Sequence, residues 1–354
     1  MNNLYILHTQ YNIILGTAIC KSLYAKCNSD LIVFAEFPVN ESMRKKLASL
    51  YNSVLYITDK FTTETNNQIT DEITFYKQYQ IFKKSSLASV IYDNIFLSQD
   101  RELDSLIAGT VMSRNKNCRV HDIEEDCYFS LNPLLNEARY QKKVPVKAQL
   151  KHCFRKLLYG QKYLYKPDSY FYGCSRFFNS YFTLFPTLIR RELVGRDAVE
   201  IPVSGIQNAI EYLYNDAEVA IPESNEYYLF FFDLMERYTD PMLIKELFKK
   251  LSDKAKSKGC IMLAKYHPRE TNKIQDVPDN VIELPYTIPA EKVLSSLYGK
   301  KVTVIGNATT AIVVAAKFGF NTISIAKLNN LNNRSLLETY KKMGINVINS
   351  ISEL

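Results

Sequence analysis

Short apolar runs recur along this chain, and most are followed by a segment with helical spacing. Residues 4–7, 31–35, 53–57, 89–97 and 118–123 read as buried strands, with helices predicted over 13–25 and 101–112. A second series opens after Glu226, with strands predicted over 227–232, 259–263, 281–284, 301–306 and 321–326. Its helices fall over 242–256, 292–297, 311–319 and 336–343. Strand runs that are apolar throughout must be covered on both faces, so this alternation predicts parallel, doubly wound sheets. Pro-bounded segments near Pro186, Pro202 and Pro222 read as the crossover between two α/β domains, over residues 1–200 and 201–354.

A chain of 354 residues can bury a sizeable core, and 47% hydrophobic with 23% charged residues excludes a disordered polymer. The net charge of +7 suits anionic substrates or a membrane surface, but no zinc-finger or RNA-binding pattern accompanies it. No nucleic-acid partner is expected. The seven cysteines (Cys20, Cys27, Cys118, Cys127, Cys153, Cys174 and Cys260) are odd in number and irregular in spacing. Without a Cys-x-x-Cys pair they read as reduced core thiols of a cytosolic protein. The N-terminus has no signal-peptide pattern, and no apolar run reaches the ~18 residues of a membrane span, so the expected location is cytoplasmic.

The chemistry concentrates past the ends of predicted strands. After the run 259–263 comes Ala264-Lys265-Tyr266-His267-Pro268-Arg269-Glu270. Pro268 stops the strand and biases His267 to an extended backbone. An imidazole between Lys265 and Arg269, at the carboxyl end of a parallel strand, suits a phosphate. The strand 301–306 is followed by Asn307-Ala308-Thr309-Thr310 and a small-residue helix ended by Gly319. Hydroxyls and free N–H groups at a helix N-terminus make an anion site; the plainer alternative is that Thr309 and Thr310 only cap the helix. Asp233 closes the apolar strand 227–232 and is a candidate general base.

In the first half, His8 and Gln10 fall in a polar loop past the opening strand, where an acceptor-side substrate loop would lie. Glu124-Glu125-Asp126 follows the strand 118–123. It is either an ordinary acidic turn or a source of a second general base. Lys142, Lys143, Lys147, Lys151, Arg155 and Lys156 form a basic run ahead of aromatic clusters at 163–165 and 170–172. That run is either a solvated helix face with a core loop, or a surface for anionic lipid or a lipid-linked acceptor. Neither Gly-x-Gly-x-x-Gly nor a Walker A sequence occurs, which argues against dehydrogenase and P-loop readings.

Taken in order, these patches resemble the bacterial sialyltransferases that use CMP-sialic acid, most closely the lipooligosaccharide sialyltransferases of glycosyltransferase family 52. Glu125-Asp126-Cys127 sits where the family has its acidic motif, His267-Pro268 with Arg269 matches its His-Pro motif, and Asn307 to Thr310 matches its hydroxyl-rich turn. Residues 4–14 and the strand ending in Asp233 are similar as well. The departure is Cys127, where the family has Gly.

The resemblance implies a GT-B fold, two Rossmann-like domains facing a central cleft, with the acceptor on the N-terminal side and the nucleotide sugar on the C-terminal side. It implies an inverting transfer of sialic acid from CMP-sialic acid to a galactoside-type hydroxyl, with neither metal nor cofactor. His267, Thr309 and Thr310 would meet the leaving phosphate, with Asn307, Lys265, Pro268 and Arg269 around it. Glu291 would reach the cytidine ribose, and Asp233 or the Glu125/Asp126 pair would be the base. A different donor on the same fold (another CMP-linked nonulosonic acid, CMP-Kdo or a UDP-hexose) and a non-catalytic nucleotide-binding module are the alternatives. A lipid-linked acceptor, peripheral membrane contact and a homodimer all stay compatible with this expectation.

Overall fold

The structure is a computed structural model that describes residues 1–35, 37–57, 68–125, 144–166, 175–189, 193, 195–274 and 277–354. Its first sheet holds β1 (Asn2–Leu7), β2 (Asn28–Phe34), β3 (Val54–Ile57), β4 (Asn94–Leu97), β5 (Arg119–Ile123), β6 (Ser180–Thr183) and β7 (Asp197–Glu200). They lie in the order β3-β2-β1-β4-β5-β6-β7 with every neighbouring pair parallel. Among the described residues the helices of this unit are α1 (Gln10–Ser22), α2 (Glu41–Leu50), α3 (Gln68–Lys84), α4 (Glu102–Met112), α5 (Val146–Tyr159) and α6 (Val203–Tyr214).

The second sheet repeats the plan with β8 (Tyr227–Phe231), β9 (Ile261–Lys265), β10 (Val281–Glu283), β11 (Val302–Gly306), β12 (Asn321–Ser324) and β13 (Asn346–Val347). Its order, β10-β9-β8-β11-β12-β13, is again parallel throughout. Four helices accompany it among the described residues: α7 (Pro241–Ser257), α8 (Ala290–Ser296), α9 (Thr310–Lys317) and α10 (Arg334–Lys342). By internal contacts the chain divides into two units, Met1–Glu125 with 144–213, and Tyr214–Leu354.

The inner strands β4, β6, β8 and β11 are buried end to end, as expected for sheets covered on both faces, whereas the edge strands β3, β7 and β10 are only partly covered. Leu4 to Leu7 and Leu229 with Phe230 have no exposed surface. Each such side chain contributes on the order of 1.5–3 kcal/mol by leaving water. One polar cross-tie runs through the first sheet: His121 on β5 meets Ser180 Oγ on β6 at 2.6 Å and Asn94 Oδ1 on β4 at 3.1 Å. Burial lowers its pKa to about 4.

Several elements differ from the sequence expectation for local reasons. α1 begins at Gln10, not at 13. Thr9 Oγ1 accepts from the Asn12 amide at 3.2 Å and Asn12 Oδ1 accepts from the Thr9 amide at 3.1 Å, a capping box that converts the expected loop into a helix start. The strand expected over 89–97 shrinks to Asn94–Leu97, because Ser86–Ser89 form a 3-10 turn. There Ser85 and Ser89 hydroxyls donate to the carbonyls of Phe82 and Ser86. Around Pro186 and Pro202, β6, β7 and α6 group with the first unit by internal contacts. All described cysteines are free; Cys20 and Cys118 are core thiols as expected, whereas Cys153 is exposed on α5. Cys127 and Cys174 lie outside the described residues.

Candidate functional site

Each strand order reverses direction at one point, between β1 and β4 in the first sheet and between β8 and β11 in the second. Ligands of open parallel sheets bind outside the carboxyl ends of the strands at such a point. In the second unit three adjacent strands end there, and Phe231 is in register with both Lys265 and Gly306. The candidates Lys265 to Arg269, Asp233 and Asn307 to Thr310 are thereby gathered along one sheet edge.

The loop after β9 is held by stacking and by its own backbone. Tyr266 is buried and stacks on Phe232, ring centroids 4.4 Å apart at 7°. Such a pair adds about 0.5–1.5 kcal/mol beyond burial. The Arg269 amide donates to Nδ1 of His267 at 3.2 Å, and the Glu270 amide donates to the His267 carbonyl. His267 is half-buried, while Pro268 and Arg269 are exposed. Burial lowers the His267 pKa, reinforced by the charge of Arg269 and opposed by Asp233. The ring is therefore neutral near pH 7, and the Nδ1 bond leaves Nε2 as its N–H.

Asp233 follows Phe232 past the end of β8 and is 5% exposed. Its Oδ1 accepts from the Leu234 amide at 2.8 Å and from Arg237 at 3.1 Å, and its amide donates to Tyr238. Glu270 accepts from the amides of Met235 and Asn272, tying the Asp233 loop to the His-Pro loop. Sequence reasoning gave Glu270, Arg237 and Tyr238 no roles. Their spacing carried no motif, and only the adjacency of β8 and β9 brings these loops together.

At the end of β11, a Cβ on Gly306 would stand 2.7 Å from Ile312 Cγ2, so glycine lets α9 begin close above the strand. Thr309 is the N-cap residue of α9, yet its side chain makes no capping bond. Thr309 Oγ1 and Asn307 Oδ1 are both buried with no hydrogen-bond partner. Thr309 therefore holds the N-cap position without the capping bond that the plainer alternative requires. The unpaired Thr309 hydroxyl can donate, and beside a helix N-terminus with its unsatisfied N–H groups and positive dipole end it fits an anion, whereas Asn307 Oδ1 accepts and calls for a donor.

Lys265 and Glu291 form the buried charge of the site. Lys265 is 3% exposed, with Nζ 3.5 Å from the Tyr286 carbonyl. Burial pulls its pKa down to about 8, against the opposing charge of Glu291. Glu291, buried in the first turn of α8, has its pKa raised by the same desolvation. Lys265 is therefore still an ammonium at neutral pH but loses its charge as pH rises through about 8. Among the described residues no three His, Cys, Asp or Glu side chains gather in a way that could hold a metal ion.

The first-unit candidates sit at the ends of β1 and β5. His8 is buried, stacked on Phe34, with Nε2 2.7 Å from Asp104 Oδ1. It is an anchored core histidine, not a member of an open loop, and Gln10 opens α1. Of the acidic turn, Glu124 and Glu125 are held by hydrogen-bond and charged partners. Glu124 is buried and accepts from Tyr11 at 2.6 Å, from Thr183 and from the Leu184 amide at 3.0 Å. Glu125 accepts from Gln99, and Arg101 stands 3.8 Å from it. Asp126 lies outside the described residues.

Solved structures share this architecture. UDP-GlcNAc 2-epimerase from Methanocaldococcus jannaschii is similar with a TM-score of 0.60 and 10% identity, over 100% of this chain and 90% of that one. The glycosyltransferase SnogD from Streptomyces nogalater gives 0.56 and 10%, over 100% and 88%. UDP-GlcNAc 2-epimerase from Neisseria meningitidis, bound to UDP-GlcNAc, gives 0.52 and 14%, over 99% and 95%. The chain has the GT-B fold, α/β with two Rossmann-like units. No protein-family model and no curated protein matches it, so the likeness to sialyltransferases rests on the sequence motifs.

Proposed function

We propose that this protein is a glycosyltransferase that moves sialic acid from CMP-sialic acid to a galactoside-type acceptor of a surface glycan, lipooligosaccharide or capsule. It works in the cytoplasm, by inversion, with no metal ion. The observation that carries the reading is the unpaired Thr309 hydroxyl at the start of α9, on the same sheet edge as His267 and Lys265. That edge fits the phosphate of a nucleotide sugar. The choice of CMP-sialic acid comes from the His-Pro, acidic and hydroxyl-rich motifs.

In this reading the acceptor oxygen attacks the anomeric carbon while its proton passes to a carboxylate. The bond from that carbon to the phosphate oxygen breaks, and its electron pair leaves with CMP. His267 Nε2–H, Thr309, Thr310, the first N–H groups of α9 and the Lys265 ammonium meet the charge growing on the phosphate. Asp233 is the base we favour, with Glu125 and Asp126 as the competing pair. Asn307, Pro268 and Arg269 shape the phosphate pocket, and Glu291 sets the charge of Lys265.

A panel of nucleotide sugars tests the proposal. CMP should be released from CMP-sialic acid in the presence of EDTA, faster when a galactoside acceptor is added. Turnover of a UDP-hexose that depends on Mg²⁺ or Mn²⁺ would overturn the donor assignment. Donor binding with no turnover on any acceptor would make the protein a binding module.

A further inference from the structure

α5 is an amphipathic helix mounted inside out. Its inward anchor is Arg155, whose side chain has no exposed surface. The guanidinium donates to Glu72 on α3 at 2.9 and 2.8 Å and stands 2.7 Å from Glu102 on α4. Its central carbon lies 3.5 Å from the ring centroid of Phe75. The opposite face carries Val146, Leu150, Cys153, Phe154, Leu157 and Leu158, spaced so that they share one stripe. The large side chains of this stripe range from 53% exposed at Phe154 to 83% at Leu157. A helix of a globular unit ordinarily turns such a stripe inward, and a contiguous exposed one marks an interaction surface.

The surrounding charge identifies the partner. Residues 141–167 carry seven lysines and Arg155, and no Asp or Glu. Lys147 and Lys156 are exposed beside the stripe, Lys162 and Lys166 just beyond it. Protein interfaces are depleted in lysine. Leu and Phe on one face with Lys at its margins are the composition of helices that lie in the headgroup region of an anionic bilayer. The lysine stems can run along the apolar zone while the ammonium groups reach lipid phosphates.

We propose that α5 seats the first unit on an anionic phospholipid bilayer, the stripe from Val146 to Leu158 entering the acyl boundary and the exposed Lys147, Lys156, Lys162 and Lys166 pairing with headgroups, while Lys151 stays with Glu102. The buried Arg155 ion pairs hold the helix folded before contact, so binding needs no ordering of this segment. The proposal is independent of the sugar chemistry.

Co-sedimentation of the full chain with vesicles tests it. Wild type should pellet with vesicles containing phosphatidylglycerol, stay in solution with pure phosphatidylcholine, and bind less as salt rises. Leu150→Ser with Leu157→Ser should weaken binding at least ~10-fold, and Lys147→Glu or Lys156→Glu about 5-fold or more each. These positions are exposed, so the circular dichroism melt should stay that of wild type. Unchanged vesicle binding in the double serine variant would overturn the proposal. So would absence of wild-type binding with a dimer that the same substitutions split, which would make the stripe a face between two copies.

Discussion

The backbone N–H of Arg269 donates to Nδ1 of His267 at 3.2 Å. With the ring's pKa lowered by burial, the group presented at neutral pH is an imidazole Nε2–H donor. His267→Ala should lower sialyl transfer by roughly 10²-fold or more with no change in the folded-state spectrum. His267→Gln, which keeps a donor, should recover part of the loss. Equal turnover in wild type and His267→Ala would remove the residue from the mechanism.

The Lys265 ammonium is present below its pKa of about 8 and is lost as pH rises through it. Donor kcat/KM should therefore fall above about pH 8, by ~10-fold per pH unit if the cation is required. Lys265→Met should lower donor affinity and flatten that limb. A Lys265→Met enzyme with the wild-type profile would show that another group sets it.

The two candidate bases separate by substitution. Asp233→Asn should lose transfer by roughly 10²–10⁴-fold while still binding CMP. Normal transfer by Asp233→Asn, together with loss in Glu125→Gln/Asp126→Asn, would hand the role to the acidic turn.

His121 makes stability depend on pH. Its pKa is about 4 in the folded protein, below its ordinary value of 6.5. The unfolded chain thus binds the extra proton first as pH falls. Stability should be full above about pH 6.5 and decline toward pH 4, by about 3 kcal/mol from this residue. Chemical denaturation at a series of pH values checks this: His121→Asn should show a shallower decline across the same window. An equal slope in both proteins would contradict the assignment.

The second unit was readable because β8, β9 and β11 are largely apolar runs, each ended by a polar group where the site lies. Asp233, Lys265 and Asn307 all fall at such ends. The first unit was less so. Glu124 looks like one of three loose acids until β6 brings Thr183 and Leu184 to it and α1 brings Tyr11. Arg155 looks like part of a solvated basic face, because nothing in its neighbourhood in sequence announces Glu72 and Glu102. β6 and β7, each four residues long, are too short to show a period. The His8 loop misled because Thr9 and Asn12 satisfy each other's backbone, which turned polar residues into a helix cap.

The central claim is that the start of α9 holds the donor phosphate, and calorimetric titration with CMP tests it most directly. Asn307→Asp keeps the shape of the side chain and places a negative charge where the phosphate should sit. CMP affinity should drop by roughly 100-fold or more, since like charges brought together cost several kcal/mol, and Thr309→Val should weaken it by a smaller factor. CMP binding by Asn307→Asp as tight as that of wild type would contradict the account.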